Sequence, residues 1–223
     1  MENTVPMNSD SDPNFWESAF AEKHAMWGLN PAKSALLAKE LFVKDGARTI
    51  LVPGIGYGRN AAVFAENGMQ VTGIEISQTA IGLLRNYYGQ GLKVYHGSVC
   101  DMPFDNLRYD GIFCYALIHL LDRGARKKLI SDCYRQLAPG AAMVFSVIPK
   151  TAPTYGEGKK LSEDRYELIK GAPLYFYDRM SVQREFGKYG LEDILEINEK
   201  PAKHSEHKNF PFLVIICRKV NLV

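Results

Sequence analysis

Thr49-Ile50-Leu51-Val52-Pro53-Gly54-Ile55-Gly56-Tyr57-Gly58-Arg59-Asn60 runs three apolar residues straight into a glycine-rich turn. Beyond it, Ala61, Ala62, Phe64 and Ala65 fall on one face at helical spacing. A buried strand, a tight turn and a helix form the first half of a βαβ unit, because parallel strands need a crossover. The turn stands at the carboxyl end of its strand, where open α/β sheets bind ligands. Gly54 and Gly56 carry no Cβ, so a ligand can approach the backbone and φ can turn positive. A dinucleotide loop is spaced G-x-G-x-x-G. Here Arg59 holds the last position and the third glycine comes early, at Gly58. Alone, such a loop is also compatible with a plain tight turn.

Met69 to Ile76 reads as the second strand, and it carries an acid, Glu75, near its end. A carboxylate there can accept hydrogen bonds from both ribose hydroxyls of a nucleoside. The alternative is a solvated charge at a strand tip.

Gly54-Ile55-Gly56-Tyr57-Gly58 resembles the first motif of the class I S-adenosylmethionine-dependent methyltransferases, and Ile74-Glu75-Ile76-Ser77 resembles their ribose-binding strand end. His96 to Phe104 is similar to their adenine-side loop, and Leu137-Ala138-Pro139-Gly140 to the turn before their fifth strand. The resemblance extends from about Phe15 to the C-terminus. Val52 departs from the family, which often places an acid there, and Ser98 stands where many members have an aspartate. Val52-Pro53-Gly54 resembles the thiopurine, thiol and halide branch, whereas Gly58-Arg59-Asn60 resembles the tellurite-resistance branch. The resemblance implies S-adenosyl-L-methionine as cofactor and an α/β, Rossmann-like, doubly wound sheet of seven strands. Their order is 3-2-1-4-5-7-6, with strand 7 antiparallel. It further implies cofactor contacts from the loop, at Gly54, Gly56, Gly58 and Asn60. Glu75 and Ile76 would meet the ribose side, Ser98 and Val99 the adenine side. Trp27 and Cys114 complete the implied set, Trp27 because the family commonly sets an N-terminal tryptophan beside cofactor and substrate.

The 223 residues suit one domain with a sizeable core. A hydrophobic fraction of 46% is ordinary for a globular chain. A formal charge of +2 points to neither nucleic acid nor a membrane surface as partner. No apolar run spans a bilayer, and the polar start lacks the core of a signal peptide, so the expected location is cytoplasmic. The four cysteines show no C-x-x-C spacing and read as buried free thiols. The expected organisation is a frayed 1–14 and a single domain over 15–223. That domain has a helical lid at 15–43 and an insertion at 149–177 after the fifth strand.

Within that domain, Ala32 to Val43 is amphipathic through Ala35, Leu36, Leu37 and Leu41. Gln78 to Tyr88 is the next helix, Leu92 to Gly97 the third strand and Tyr109 to Ala116 the fourth. The fourth strand ends at the switch point, so its tip faces the active site. That tip reads Cys114-Tyr115-Ala116-Leu117, without the Asn- or Asp-Pro-Pro-aromatic motif that stacks a flipped base and without a Pro-Cys nucleophile. Both absences count against base methylation. His119 is the histidine nearest this site and a candidate proton acceptor; it could equally serve only to order the chain. Tyr115 is the second catalytic candidate. His204-Ser205-Glu206-His207 has spacing that could bind metal but lies in a charged connection, so no metal site is expected. After a helix over Arg123 to Leu137 and a fifth strand over Ala142 to Ile148, the insertion should contain a short helix from Ser162. Its Tyr155, Tyr166, Tyr175, Phe176 and Tyr177 either line a substrate pocket or anchor the insertion. A helix from Asp178 to Tyr189 and an antiparallel hairpin, Leu191 to Glu199 with Phe212 to Arg218, close the domain.

The expected function is in-line methyl transfer to a small-molecule acceptor, either a soft atom needing little base or a hydroxyl or amine needing His119 or a tyrosine. The alternatives are a non-catalytic S-adenosylmethionine-binding protein and a nicotinamide oxidoreductase. Arg59 and the final hairpin speak against the latter.

Overall fold

In the computed structural model, which describes residues 13–199 and 210–220, the strand quoted first lies at the centre. β1 (Thr49–Pro53) pairs in parallel with β2 (Gln70–Glu75) on one side and β4 (Tyr109–Tyr115) on the other. β3 (Lys93–His96) extends the sheet beyond β2, and β5 (Leu137–Val147) beyond β4. After an excursion of three short strands, β9 (Leu191–Glu199) and β10 (Phe210–Arg218) complete it. The order is β3-β2-β1-β4-β5-β10-β9, and β10 runs antiparallel to both neighbours. This is the expected seven-stranded order with the last strand reversed. His204–His207 lies outside the described residues, as do 1–12 of the expected frayed start. Among the described residues, no helix is long and apolar enough to cross a membrane, and no cluster of side chains could hold a metal ion.

Both sheet faces are covered, as a near-continuous apolar β1 requires. Ile50 and Val52 point to one layer, with Phe42, Phe64 and Phe113; Leu51 points to the other, with Ile112, Cys114, Leu129 and Phe186. The first layer is closed by α2 (Lys33–Lys44) and α3 (Ala62–Glu66), the second by α5 (Arg123–Gln136) and α6 (Arg179–Phe186). α1 (Pro13–Lys23) rests on α4 (Gln78–Tyr88) beyond the carboxyl ends of the strands. The helices start where local chemistry allows. Ser77, Asp122 and Asp178 each accept a backbone N–H at the N-cap, and Asp178 with Ser181 forms a full capping box. Of the four free cysteines, three are buried and Cys100 is partly so.

Three local expectations are corrected. The insertion contains no helix from Ser162; it folds as a three-stranded antiparallel sheet of β6 (Lys159–Ser162), β7 (Arg165–Ile169) and β8 (Ala172–Tyr175). Left-handed Asp164 and Gly171 turn its hairpins, and Tyr166 and Leu168, two apart, pack on Phe176, Ile148 and Phe212. The period is that of a strand, and the partners that reveal it are distant in the chain. The buried face of α2 is Ser34, Ala35, Ala38 and Phe42, while Leu36 is 41% exposed. Buried Glu199 explains that rotation. Its carboxylate accepts from Lys33 N at 2.8 Å, Ser34 N at 2.9 Å and Ser34 Oγ at 2.7 Å, capping α2 from the far edge of the sheet. Leu137 to Gly140 joins β5 directly instead of forming a separate turn, with Leu137 paired to Tyr109 and Gly140 donating to Lys219.

The five aromatic residues of the insertion anchor it. Tyr155, Tyr166 and Phe176 pack edge to face. Tyr175 lies under the Arg126 guanidinium at 3.9 Å, and the Tyr177 hydroxyl donates to Glu185 at 2.9 Å. Arg126 and Glu185, 4% and 8% exposed, form a forked pair at 3.0–3.3 Å that joins α5 to α6. Removing one member leaves the other charge buried and unpaired. Arg126→Ala is expected to lower unfolding free energy by about 3–5 kcal/mol in urea titration. A loss under 1 kcal/mol would show the pair to be dispensable.

Candidate functional site

The glycine loop is held from below and from the side. Gly54 N and Ile55 N both donate to the Ile74 carbonyl, at 2.8 and 3.1 Å, drawing the loop onto β2. Ile55 then sits directly on Gly73, where a Cβ would stand 2.5–2.9 Å from its side chain. Gly73 is thus a requirement of the loop that no motif marks. Gly54 and Gly56 have positive φ, 68° and 57°, as their turn demands. A Cβ on Gly56 would meet only the Phe20 ring tip, at 3.8 Å, so this backbone faces open space beneath α1. Gly58 turns the other way, and a Cβ there would meet Leu84 and Tyr88 of α4 at 3.1 Å.

Glu75 is 6% exposed rather than solvated. Oε2 accepts from Gly56 N at 2.8 Å; Oε1 accepts from Ile76 N at 3.0 Å and Ser77 N at 2.9 Å. Burial pushes its carboxyl above the ordinary range, and the three amides oppose that shift. A carboxylate offers about four acceptor sites, so one remains, on Oε2.

Above the strand ends lies a cavity of about 430 Å³. Gly54, Gly56, Glu75, Ile76, Ser98 and Val99 line its polar end; Tyr115, Leu117, Leu120, Ile148, Leu174 and Phe212 line its apolar end. Trp16, Phe20 and Trp27 roof it. The Tyr57 hydroxyl ties the roof to the loop, donating to Gly28 O at 2.8 Å and accepting from Trp27 N at 3.3 Å, with the two rings parallel. Glu17 of α1 accepts from Ser77 Oγ at 2.6 Å and from the Thr79 hydroxyl at the start of α4. Asn60 lines the cavity, yet its Oδ1 accepts from Ala32 N at 2.8 Å, joining the loop to the start of α2. Ser98 caps the short turn that follows it.

Of the expected contacts, Gly58 and Cys114 are not brought to the cavity. Gly58 faces α4, and Cys114 is fully buried among Leu51, Ile112 and Cys133, its thiol pushed up by burial. The insertion's five aromatic residues are not in the lining either; Leu174 represents that segment.

Tyr115 and His119 do reach the cavity. Between them the chain passes through the left-handed region at Ala116, φ 52°, a costly conformation for a residue with a side chain. Tyr115 stacks on Phe212 at 5.5 Å, and burial pushes its hydroxyl up to about 12. His119 is 2% exposed, its Nδ1 has no partner, and burial pulls it down to about 3. At neutral pH it is an uncharged, feebly basic imidazole. Phe212, the left-handed Ala116 and the placement of Arg59 were outside the sequence reading, since strand pairing and turn geometry bring them in.

Residues 50–140 match the family model described as "Methyltransferase domain". That span holds the glycine loop, Glu75, Ser98 and the end of β4. Over that span the chain carries a methyltransferase domain. Over 205 residues it is 25% identical to a ubiquinone biosynthesis O-methyltransferase of Coxiella burnetii, covering 88% of this chain and 85% of the relative. It is 22% identical to the tRNA N(3)-methylcytidine methyltransferase Mettl2 of Drosophila melanogaster, covering 81% and 62%. Among solved structures, the 1,6-didemethyltoxoflavin-N1-methyltransferase of Burkholderia thailandensis superposes with a TM-score of 0.72 at 17% identity, covering 94% and 87%.

Two expectations follow for the methyltransferase. Glu75→Gln retains one acceptor but turns an N–H₂ toward amide donors; it should cost about 1–3 kcal/mol of stability. It should also weaken S-adenosylhomocysteine binding about tenfold or more, as read by calorimetry. Unchanged stability would mean the carboxylate does not hold the loop. The native state keeps His119 neutral, whereas the unfolded chain protonates it below about pH 6.5. Its contribution is therefore intact above that pH and declines by about 1.4 kcal/mol per unit as pH falls toward the folded value. Between pH 7 and 5, His119→Gln should lose about 2 kcal/mol less than wild type in urea titration.

Proposed function

We propose that this methyltransferase acts on a small acceptor held at the apolar end of the cavity. The observation that carries this reading is the continuity of the cavity, from the Gly56–Glu75 cradle to the Tyr115–Phe212 wall. The donor set suits S-adenosylmethionine. The open backbone at Gly56 admits its amino-acid end, the spare site on Glu75 accepts one ribose hydroxyl, and Ile76, Ser98 and Val99 border the adenine. The bound cofactor supplies an electrophilic methyl on a sulfonium. Gly58 and Asn60 act from behind, shaping the loop, and Trp27 closes the roof over it. Cys114 supports β4 from the core.

The chain's own contribution is alignment and exclusion of water, which is the larger part of catalysis for a displacement between two bound reactants. Aromatic faces at the apolar end also suit a cationic donor. His119 and Tyr115 orient the acceptor by hydrogen bonds rather than removing its proton, since burial has left the one feebly basic and the other protonated. An oxygen acceptor is favoured by the likeness to the O-methyltransferase of C. burnetii over most of both chains. The tRNA-modifying relative is matched over a smaller share of its length, and the end of β4 here lacks Pro-Pro; a nucleic-acid substrate is not part of this reading.

Calorimetry should give micromolar-range binding of S-adenosylmethionine and S-adenosylhomocysteine and no preference for NADH. A panel of phenols, thiols, amines and chalcogen oxyanions, read by S-adenosylhomocysteine release, should yield turnover on at least one small acceptor. Binding of the cofactor with turnover only on RNA would overturn the assignment of the acceptor.

A further inference from the structure

Arg59 brings a cation to the wall of the cavity. Nη1 donates to the Asn30 carbonyl at 3.1 Å, which fixes the side chain against the segment before α2. The guanidinium carbon lies 5.4 Å from the centre of the Tyr115 ring, and that ring stacks on Phe212. Among the described residues, no carboxylate pairs with Arg59. Guanidinium has five N–H donors in a fixed fork suited to an anionic oxygen; here Nη1 also reaches the Trp27 carbonyl at 3.5 Å and the Tyr115 hydroxyl is a further partner, which leaves part of the fork for a ligand.

The other ionisable groups of the lining are poor bases: His119 is uncharged and feebly basic, Tyr115 retains its proton, and Glu75 already accepts from three amides. Given the reading above, on which this step rests, we infer that the methyltransferase takes a planar aromatic acceptor whose reacting hydroxyl is ionised on binding, and that Arg59 is the specificity-determining residue that pairs with the phenolate. The flat walls of Tyr115 and Phe212 suit an arene, and the guanidinium above Tyr115 lies beside it. The same charge already pulls the hydroxyls of Tyr57, Tyr88 and Tyr115 downward, against burial. The proton passes to solvent as the acceptor binds. In the transfer itself the phenolate oxygen forms the O–CH₃ bond, the S–CH₃ bond breaks, and its electron pair remains on sulfur, so no side chain needs to accept a proton.

The test uses 4-nitrophenol, whose phenolate absorbs visibly, added to the full chain saturated with S-adenosylhomocysteine. Wild type should lower the pKa of the bound phenol by about one unit, a tenfold rise in the ionised-to-neutral ratio. Arg59→Gln should abolish the shift, and Arg59→Lys should retain part of it. An unshifted pKa or no binding of 4-nitrophenol in wild type overturns the inference without need of any variant, as does an equal shift in a folded Arg59→Gln. If Arg59→Gln weakens S-adenosylhomocysteine but not 5′-methylthioadenosine, which lacks the amino-acid end, Arg59 serves the cofactor carboxylate and the inference falls while the methyltransferase reading stands. Failure of wild type to bind S-adenosylhomocysteine would instead remove that reading itself.

Discussion

One buried carboxylate holds the working end of this protein together. Glu75 stands at the tip of β2 and accepts from amides on two segments: Gly56 in the glycine loop, and Ile76 and Ser77 in the turn to α4. Hydrogen bonds to a charged group contribute more than neutral ones, and burial raises the cost of leaving that charge unmet. The loop therefore takes its shape from the neighbouring strand as well as from its own glycines. Ile55 reinforces the arrangement by filling the space that Gly73 leaves open.

From that anchor the ties spread outward. Tyr57 leaves the loop to hold Gly28 and Trp27 of the roof, Asn60 holds the start of α2, and Glu17 returns from α1 to Ser77 and Thr79. α2 is capped from the opposite edge of the sheet by Glu199. Roof, loop and α2 are thus joined through side-chain hydrogen bonds to backbone groups at element ends, where helices leave donors unsatisfied. The roof itself contributes aromatic area, Trp16, Phe20 and Trp27 around Tyr57.

The apolar end of the cavity follows a different logic. Burial there suppresses proton chemistry: it pulls His119 down and pushes Tyr115 up. The charged side chains of the lining are Arg59 and Glu75. A site of this kind spends its structure on position rather than on proton transfer.

What the sequence by itself determined is the part governed by local pattern. The apolar run into Gly54-Ile55-Gly56-Tyr57-Gly58 marks β1 and its loop, Glu75 falls at the tip of the next strand, and periodicity places α4 at Gln78–Tyr88. The seven-strand order followed from resemblance rather than pattern. Only the tertiary structure decided what depends on residues distant in the chain. The insertion became a small sheet because Tyr166 and Leu168 find Phe176 and Ile148. α2 rotated away from its Leu36 face because Glu199 caps it. Gly58 and Cys114 turned from the cavity because helix and sheet packing claimed their sides. His119 lost its basicity and Arg59 came over Tyr115 because burial and strand pairing are properties of the whole fold, which no local spacing encodes.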